Sequence, residues 1–442
     1  MEATEAYLER IDALDFKFNA YLTVCRREAL QAAQEAERAI VSGNYLGPMH
    51  GIPVGVKDQL WGKGIRSTDG SRILADFVPD EDATAIANLK RAGAILLGKT
   101  NLTEFAMGGG AERFSRPRNP WNLDLSAGAS SSGSGAATAA FLCATSLGED
   151  TGGSIRYPAT WCGVVGLRPT WGRVIRYGVM PGNWSMDVVG PICRSVEDAA
   201  ITLGAIAGYD PKDPYTWDAP VPDYQRSLDG NIRSIRVGVI SEEINSEVVE
   251  PDVREAVAKA ISVLGDLGAS VEEVSLPLVR HAGAISAPLA AEPAPDHREW
   301  VRTQLGESGH NNRIGFLVGS IMPAMAYYKA QKLRSLLRQQ ILEALDRFDV
   351  LVSPTAGKPA QLIADDPIIT SKADGLPLSH LLTRNFALAS APAITVPCGF
   401  SSQSLPIGLQ MGVRPGGEET LLKVAHAYEQ GTPWHAMRPP NA

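Results

Sequence analysis

The sequence predicts an α/β protein in which helices cover a mostly parallel or mixed β-sheet. Stretches with helical apolar spacing repeatedly precede short apolar runs that are bounded by Gly, Pro or polar residues. Such short runs are typical of buried strands, and the longer periodic stretches are typical of amphipathic helices. Because the two kinds of segment alternate along most of the chain, we expect the strands to join a sheet with helices packed against it.

The N-terminal part of the chain begins this alternation. Residues 3–41 have the apolar spacing of two helices, and a Gly/Pro-punctuated segment then predicts a short strand that ends near Lys57. A helix at about 82–92 leads into a second strand at Ala94–Lys99. Further on, a Ser/Gly loop at Ser126–Gly135 precedes a predicted helix of small residues at Ala136–Ala144.

The second half of the chain repeats the pattern three times. Each pair is a helix followed by a strand, at 196–208 and Ser234–Ile240, at 251–267 and 270–276, and at 326–347 and Asp349–Thr355. Residues 278–325 are less periodic, and we expect an irregular insertion that shapes a pocket.

No repeat or low-complexity linker divides the chain, so we expect a single domain over residues 1–442. Within it we place a helical N-terminal segment at 1–45, the catalytic core at about 46–210 and 340–442, and the pocket-forming insertion at about 278–325.

Composition excludes several classes of protein. The 442 residues include 41 basic and 49 acidic ones, and the resulting net charge of −8 disfavours non-specific binding of nucleic acid. No apolar run reaches the roughly 20 residues that cross a bilayer, and the N-terminus does not resemble a signal peptide. Five scattered cysteines without a CxxC pattern are typical of buried thiols in a reducing compartment. We expect a cytoplasmic protein with no metal and no cofactor.

The region 126–172 departs most from average composition and carries the candidate chemistry. Ser154 directly follows Gly152 and Gly153, so successive unhindered backbone N–H groups can point at one spot, as an oxyanion hole requires. Phosphate-loop motifs and the GxSxG motif are absent. These residues therefore indicate a serine nucleophile rather than a nucleotide site.

A serine nucleophile needs a proton acceptor, and no histidine stands in a context that marks a general base. A lysine kept neutral by burial can serve, and Lys57 at the end of an apolar strand is the best-placed candidate. A second hydroxyl can relay the proton, for which the run 130–132 offers three serines.

At these residues the chain resembles the amidase signature family of serine hydrolases. GIPVGVKDQ resembles the family's lysine motif, GASSSGSGAA its serine loop, and EDTGGSIRYPATWCGVVGLRPTWGRV its nucleophile motif and the following strand. Further matches are KTNLTEFAMGG, SMDVVGP, SAPAITVPCGF and LPIGLQ. The resemblance covers nearly the whole chain. It implies an α/β fold with a large mixed β-sheet flanked by helices on both faces.

The resemblance implies a Ser–cis-Ser–Lys triad. Ser154 would be the nucleophile, Ser130 the bridging serine after a cis peptide bond, and Lys57 the base. The Ser130 hydroxyl would then lie within hydrogen-bond reach of both Lys57 Nζ and Ser154 Oγ. The expected oxyanion hole consists of four consecutive backbone N–H groups, those of Thr151, Gly152, Gly153 and Ser154.

Supporting roles follow from the same motifs. We expect Ser131 to support Ser130 by hydrogen bonding, and Asp150 to order the nucleophile loop. Arg156 either binds a substrate carboxylate or pairs with Asp150 or Glu149. Glu149 stands where the family usually carries threonine, so it adds a carboxylate beside the nucleophile turn.

The pocket is expected to include Met107 and Gly108, which match a loop that lines it in the family, and Trp184 in a GNW loop. Ala129 and Ser132 depart from the family's serine loop, because both positions usually hold glycine.

The favoured function is a stand-alone hydrolase of small amides, with aryl amides, carbamates (urethanes) or esters as further substrates, working as a monomer or homodimer without nucleic acid or membrane. The alternative is the glutamine-hydrolysing component of a tRNA-dependent amidotransferase. That component usually carries Gln where Tyr157 stands here. A third hypothesis, an inactive scaffold, is disfavoured because all three triad positions are filled.

Overall fold

The computed structural model describes residues 1–107, 114, 116–363 and 381–442, and their strands form a large mixed sheet and a separate pair. The strands are β1 (Tyr21–Val24), β2 (Pro53–Lys57), β3 (Ile95–Thr100), β4 (Arg118–Asn119), β5 (Asn122–Ser126), β6 (Thr145–Glu149), β7 (Val165–Arg168), β8 (Val189–Cys193), β9 (Arg236–Ile240), β10 (Ser270–Val274), β11 (Val350–Pro354), β12 (Ala393–Phe400) and β13 (Pro406–Gly412).

The helices alternate with these strands. They are α1 (Glu2–Phe18), α2 (Arg26–Val41), α3 (Thr84–Arg91), α4 (Ser132–Ala139), α5 (Arg156–Cys162), α6 (Val196–Ile206), α7 (Ser241–Ile244), α8 (Pro251–Asp266), α9 (Ala282–Ser286), α10 (Arg298–Thr303), α11 (His310–Ser320), α12 (Ala324–Arg347), α13 (Leu381–Leu388) and α14 (Glu418–Gln430).

The large sheet has 11 strands in the order β1-β3-β2-β6-β8-β7-β12-β13-β11-β9-β10, and β4 pairs with β5. Strands β3, β2 and β6 run parallel, as do β11, β9 and β10. The pairings between these two groups are antiparallel. The predicted mixed sheet covered by helices is therefore confirmed.

Apolar side chains cover both faces of the sheet. On β2, Val54 and Val56 join a core built with α3, α6, α8 and α14. Alternate strand residues point to the opposite face, so Lys57 is directed the other way. On β3, Ile95 and Leu97 join a second core with α1, α2, α4 and α5. A third core lies around α9, α12 and α13.

Most predicted elements are present within a few residues of their expected limits, but three expectations were wrong. Several strands were not predicted, among them β1, whose four residues lie between two helices and are too few for a periodic signal. Helix α4 begins at Ser132 rather than Ala136, although its Ser and Gly residues are typical of loops. The insertion at 278–325 contains the short helices α9, α10 and α11 instead of irregular chain.

All five cysteines are buried free thiols, in agreement with the sequence analysis. Among the helices of the described residues, none combines the length and the apolar character that crossing a membrane requires.

Candidate active site

The site lies at the carboxyl ends of two neighbouring parallel strands. Lys57 is the last residue of β2, and Glu149 is the last residue of β6. Val56 pairs with Leu147 in this ladder, so the two charged residues emerge together at one edge of the sheet. Ligands of α/β proteins bind at this edge of a parallel sheet.

Lys57 Nζ is fully buried and has three hydrogen-bond acceptors. It donates to Ser130 Oγ at 2.8 Å, to Glu149 Oε2 at 3.0 Å and to the Glu149 carbonyl oxygen at 3.4 Å. The structure therefore brings Lys57 and Ser130 together, as the family resemblance implies. It also adds a carboxylate to the pair.

Ser130 precedes helix α4, and the Ala129–Ser130 peptide bond is cis. Of the three consecutive serines, Ser130 is the one that contacts the lysine. Ser131 does not support Ser130 directly. Its hydroxyl donates to the Glu149 carbonyl and accepts from the Glu149 N–H, and its own N–H donates to the Ser154 carbonyl.

Ser154 lies in the turn between β6 and α5, and 8% of its surface is exposed. Its Oγ forms no hydrogen bond with any residue that the structure describes. The expected bond to Ser130 Oγ is therefore not formed. Catalytic hydrogen bonds often tighten only when substrate binds.

The four N–H groups predicted for the oxyanion hole are not equivalent. Gly153 N–H already donates to Asp150 Oδ1 at 2.7 Å. Within the described part of the chain, the N–H groups of Thr151, Gly152 and Ser154 have no acceptor. These three groups remain available for a developing oxyanion.

Asp150 organises the turn at residues 150–155, which carries Ser154 and is called the nucleophile turn here. Besides Gly153 it accepts a hydrogen bond from the Ile155 N–H, and it forms buried ion pairs with Arg156 and Arg168. Burial alone would raise the pKa of Asp150, but the two guanidinium groups hold it well below its usual range. Arg156 also donates to a buried glutamine and is itself fully buried, so the ion pair, not a substrate carboxylate, accounts for it.

The predicted pocket residues are only partly placed near the turn. Gly108 lies outside the described residues. Met107 packs in an apolar cluster with Phe105 and Phe316. Trp184 is 43% exposed and stacks obliquely on Tyr215. It lines a cavity of about 200 Å³ whose wall also includes Glu149 and Asp187.

Two residues beside the nucleophile turn were missed. Thr383 Oγ1 donates to the Gly152 carbonyl at 2.6 Å. A Cβ atom placed on Gly152 would lie 3.6 Å from Nε of Arg384, the next residue along the chain, which is half-buried. Within the described ranges, Arg384 donates to Ser286 and has no carboxylate within 4 Å, and its Nε has no hydrogen-bond acceptor. The available signal was a single basic residue in the apolar segment LLTRNFALAS.

Comparisons with known proteins agree with this geometry. A family model described as Amidase matches residues 2–422. The A subunit of glutamyl-tRNA(Gln) amidotransferase from Geobacter metallireducens is 44% identical over 465 aligned positions, covering 99% of this chain and 95% of that protein.

Two solved structures superimpose closely. A protein from a vestigial complex that reveals the origins of an s-triazine catabolic enzyme gives a TM-score of 0.90 at 31% identity, covering 97% of this chain and 94% of that one. The A subunit of glutamyl-tRNA(Gln) amidotransferase from Thermotoga maritima gives a TM-score of 0.82 at 32% identity, covering 99% and 93%.

These relatives correct two expectations from the sequence. The preference for a stand-alone hydrolase of small amides was wrong, because curated relatives over the full chain are amidotransferase subunits, which favours the amidotransferase alternative. The expectation of a monomer or homodimer without a nucleic-acid partner was wrong for the same reason, since those relatives are parts of larger assemblies named for tRNA.

Proposed function

The chain belongs to the amidase signature family, and we propose that it is the glutamine-hydrolysing component of a tRNA-dependent amidotransferase. The observation that carries this proposal is the 44% identity with an amidotransferase subunit over 99% of the chain. The contact between Lys57 and Ser130, close to Ser154, supports it. In this function, ammonia freed from glutamine passes to partner subunits that amidate glutamyl-tRNA.

The proposed reaction uses Ser154, Ser130 and Lys57 in sequence. Ser154 Oγ attacks the carboxamide carbon of glutamine while its proton moves to Ser130, whose own proton moves to Lys57. The negative oxygen that forms is stabilised by free N–H groups of the turn. The relay then returns a proton to the nitrogen, the C–N bond breaks, and ammonia leaves. Water attacks the resulting acyl-enzyme and releases glutamate.

Arg384 supports a substrate with a carboxylate. A guanidinium group beside the nucleophile turn, without a carboxylate partner among the described residues, is suited to bind one from a ligand. Burial lowers the pKa of Arg384, and a carboxylate would offset that cost. The α-carboxylate of glutamine provides such a group at a distance from the reacting carboxamide.

Tyr157, which stands where the amidotransferase component usually carries glutamine, does not weigh strongly against this function. It is buried and packs against Trp161 with 4.6 Å between ring centroids, in an apolar cluster with Leu125 and Leu405. The departure therefore falls at a packing position.

The direct test measures ammonia and glutamate released from glutamine by the purified chain, alone and with the partner subunits of a related amidotransferase. We expect the two products in equal amounts. Ser154→Ala should fold normally, and its kcat should be lower by a factor of about 10⁶, because the nucleophile is removed. If glutamine stays intact in both settings while simple amides are hydrolysed, the proposal is wrong.

A second measurement isolates the carboxylate. Arg384→Met should raise KM for glutamine roughly 10- to 100-fold, the loss expected for a charge-assisted hydrogen bond. Butanamide has the same carboxamide without the α-substituents, so its kcat/KM should be nearly unchanged in this variant. Equal losses for both substrates would show that Arg384 acts on the turn rather than on glutamine.

A further inference from the structure

The carboxyl group of Glu149 contacts Lys57, the base of the proposed relay. The relay alone does not explain why a carboxylate lies beside its base. Glu149 and Lys57 are both fully buried, and Oε2 lies 3.0 Å from Nζ. Among the described carboxylates, Glu149 alone is within 4 Å of this lysine. Removing two charges from water is costly, so a buried pair needs a reason beyond stability.

The contacts of Lys57 limit what it can do while charged. An ammonium group has three N–H donors and no lone pair. Its three donors match the three acceptors, namely Ser130 Oγ and the carboxylate and carbonyl oxygens of Glu149. To accept a proton from Ser130, the nitrogen must first lose one. Of the three acceptors, the carboxylate alone is basic enough to take it.

We propose that Glu149 takes a proton from Lys57 and thereby converts it to the neutral amine that accepts the Ser130 proton. In this step one Nζ–H bond breaks and one Oε2–H bond forms. An ammonium and a carboxylate become an amine and a carboxylic acid, so the net charge of the buried pair stays zero. In this role Glu149 acts through Lys57 and not on the reacting atoms, which makes it a positioning residue for the proton.

The surroundings of Glu149 suit both of its protonation states. Thr151 Oγ1 lies 2.9 Å from Glu149 Oε1 and 2.7 Å from Asp187 Oδ1. A hydroxyl has one proton, so Thr151 can donate to Glu149 when that group is charged and to Asp187 when it is neutral. Asp187 keeps the hydrogen bonds from the Gly182 and Asn183 N–H groups in either case.

The remaining charged groups near the pair leave this role to Glu149. They are Asp58, Asp69, Lys99, Glu104, Asp150, Arg168 and Asp187. Asp58 pairs with Lys99, and Asp150 pairs with Arg168. Burial raises the pKa of Asp69 well above its usual range, and neither of its carboxyl oxygens has a hydrogen-bond partner among the described residues.

Burial is also the main influence on the pKa of the Glu149 carboxyl group. It raises the pKa of this carboxyl to about 7, with Lys57 opposing the shift and Asp187 adding to it. An acid with a raised pKa holds a proton more readily than an ordinary glutamate. The carboxyl is therefore suited to share a proton with a neighbouring amine near neutral pH.

The test measures how fast a fluorophosphonate labels Ser154 as a function of pH in the full chain. Labelling forms an O–P bond, releases fluoride and transfers the serine proton to the relay, so it reports base activation without any amide substrate. The inference rests on the relay of the proposed function but not on glutamine. If Ser154 is not labelled at all, both the relay and this inference fail.

In the wild type, the labelling rate should rise as pH increases through the neutral range, where the pair loses its first proton. Glu149→Gln should lose this rise and be slower by about tenfold or more near pH 7, because the lysine proton must then leave to solvent. Its rate should approach the wild-type rate toward alkaline pH. Glu149→Thr introduces the residue that the family usually carries at this position and provides a second variant. Its labelling rate should depend on pH in the same way as that of Glu149→Gln.

Glu429→Gln is the matched control, since Glu429 is another buried glutamate whose pKa burial raises to about 7, on α14. It should keep the wild-type profile. The inference is overturned if the wild type shows no rise in the neutral range, or if the Glu149 variants keep it. A faster rate in Glu149→Gln at neutral pH would also overturn it, because the carboxylate would then serve only to hold Lys57 charged.

Discussion

The Asp150 carboxylate accepts more hydrogen bonds than any other side chain that we describe around the nucleophile turn. It accepts hydrogen bonds from the N–H groups of Gly153 and Ile155 and from the guanidinium groups of Arg156 and Arg168. One carboxylate thus fixes both ends of the turn that presents Ser154. The charge of Asp150 compensates two buried guanidinium groups, which would otherwise lack a charged partner of this kind among the described residues.

Asp150→Asn should therefore unfold more easily and lose activity. Breaking a buried ion pair costs about 3–5 kcal/mol, since a charged partner is left unpaired. Chemical denaturation at neutral pH measures this loss as a lower midpoint. Asp124→Asn, a change at an exposed aspartate, is the control and should unfold like the wild type.

Asp150→Asn should also change how the melting temperature responds to acid. The pKa of Asp150 is held below the value that it has in the unfolded chain. The contribution of Asp150 to the free energy of unfolding is therefore complete above about pH 4 and is lost as pH falls further. The melting temperature of the wild type should fall over this acid range more steeply than that of Asp150→Asn. Parallel curves would show that Asp150 does not contribute to acid sensitivity.

At the level of single residues, the sequence predicted the chemical groups better than their contacts. Lys57 and Ser130 meet as expected, because a long motif specifies each of them. The partner of Glu149 could not be predicted, since it depends on which strands are neighbours in the sheet. Arg384 was missed because helix α13 approaches the turn only through tertiary packing, which no local pattern encodes.

Helix α4 positions Ser130, and a single glycine allows it to do so. A Cβ atom on Gly133 would lie 2.4 Å from the Asn101 nitrogen and 2.5 Å from the Ala20 carbonyl oxygen. The helix therefore packs directly against the backbone that follows β3. The sequence suggested a loop here because glycine and serine disfavour helices, but burial of the entire helix overrides that preference.

Gly133→Ala should push α4 away from β3 and lower both stability and activity. Overpacking of a close contact typically costs about 1–3 kcal/mol. The displacement would also lengthen the contact between Ser130 and Lys57, so the rate of Ser154 labelling should fall. Gly204→Ala on α6 is the control, because a Cβ atom there meets nothing closer than 4.0 Å. Equal behaviour of the two variants would contradict the role assigned to Gly133.

At the scale of the whole molecule, the alternation of helices and strands was sufficient to predict the class of fold but not the order of its strands. Antiparallel strands β8, β7, β12 and β13 separate the two parallel groups, and helix–strand alternation alone predicts none of these pairings. The expectation of a monomer or homodimer came with the hypothesis of a stand-alone hydrolase, whereas the relatives are subunits. A net charge describes the average surface, while a docking surface depends on a local patch of side chains.

Such a patch lies where α11 meets α12. The α11–α12 ridge consists of large apolar side chains that are 47% to 79% exposed, those of Leu317, Val318, Ile321, Met325 and Tyr328. Single exposed apolar residues are common, but a contiguous group is typical of a protein interface. Since the proposed function requires partner subunits, we expect another component of the amidotransferase to bind this ridge.

The double variant Ile321→Glu and Met325→Glu should weaken assembly with partner subunits of a related amidotransferase by about tenfold or more, because charges in an interface core lose their hydration without gaining partners. Light scattering after size-exclusion chromatography measures the assembled fraction. Labelling of Ser154 in the free chain should not change, since the two substituted side chains are 79% and 75% exposed. Phe16→Glu on α1, at a side chain that is 74% exposed, is the control. If that control disrupts assembly and the double variant does not, the partner binds elsewhere.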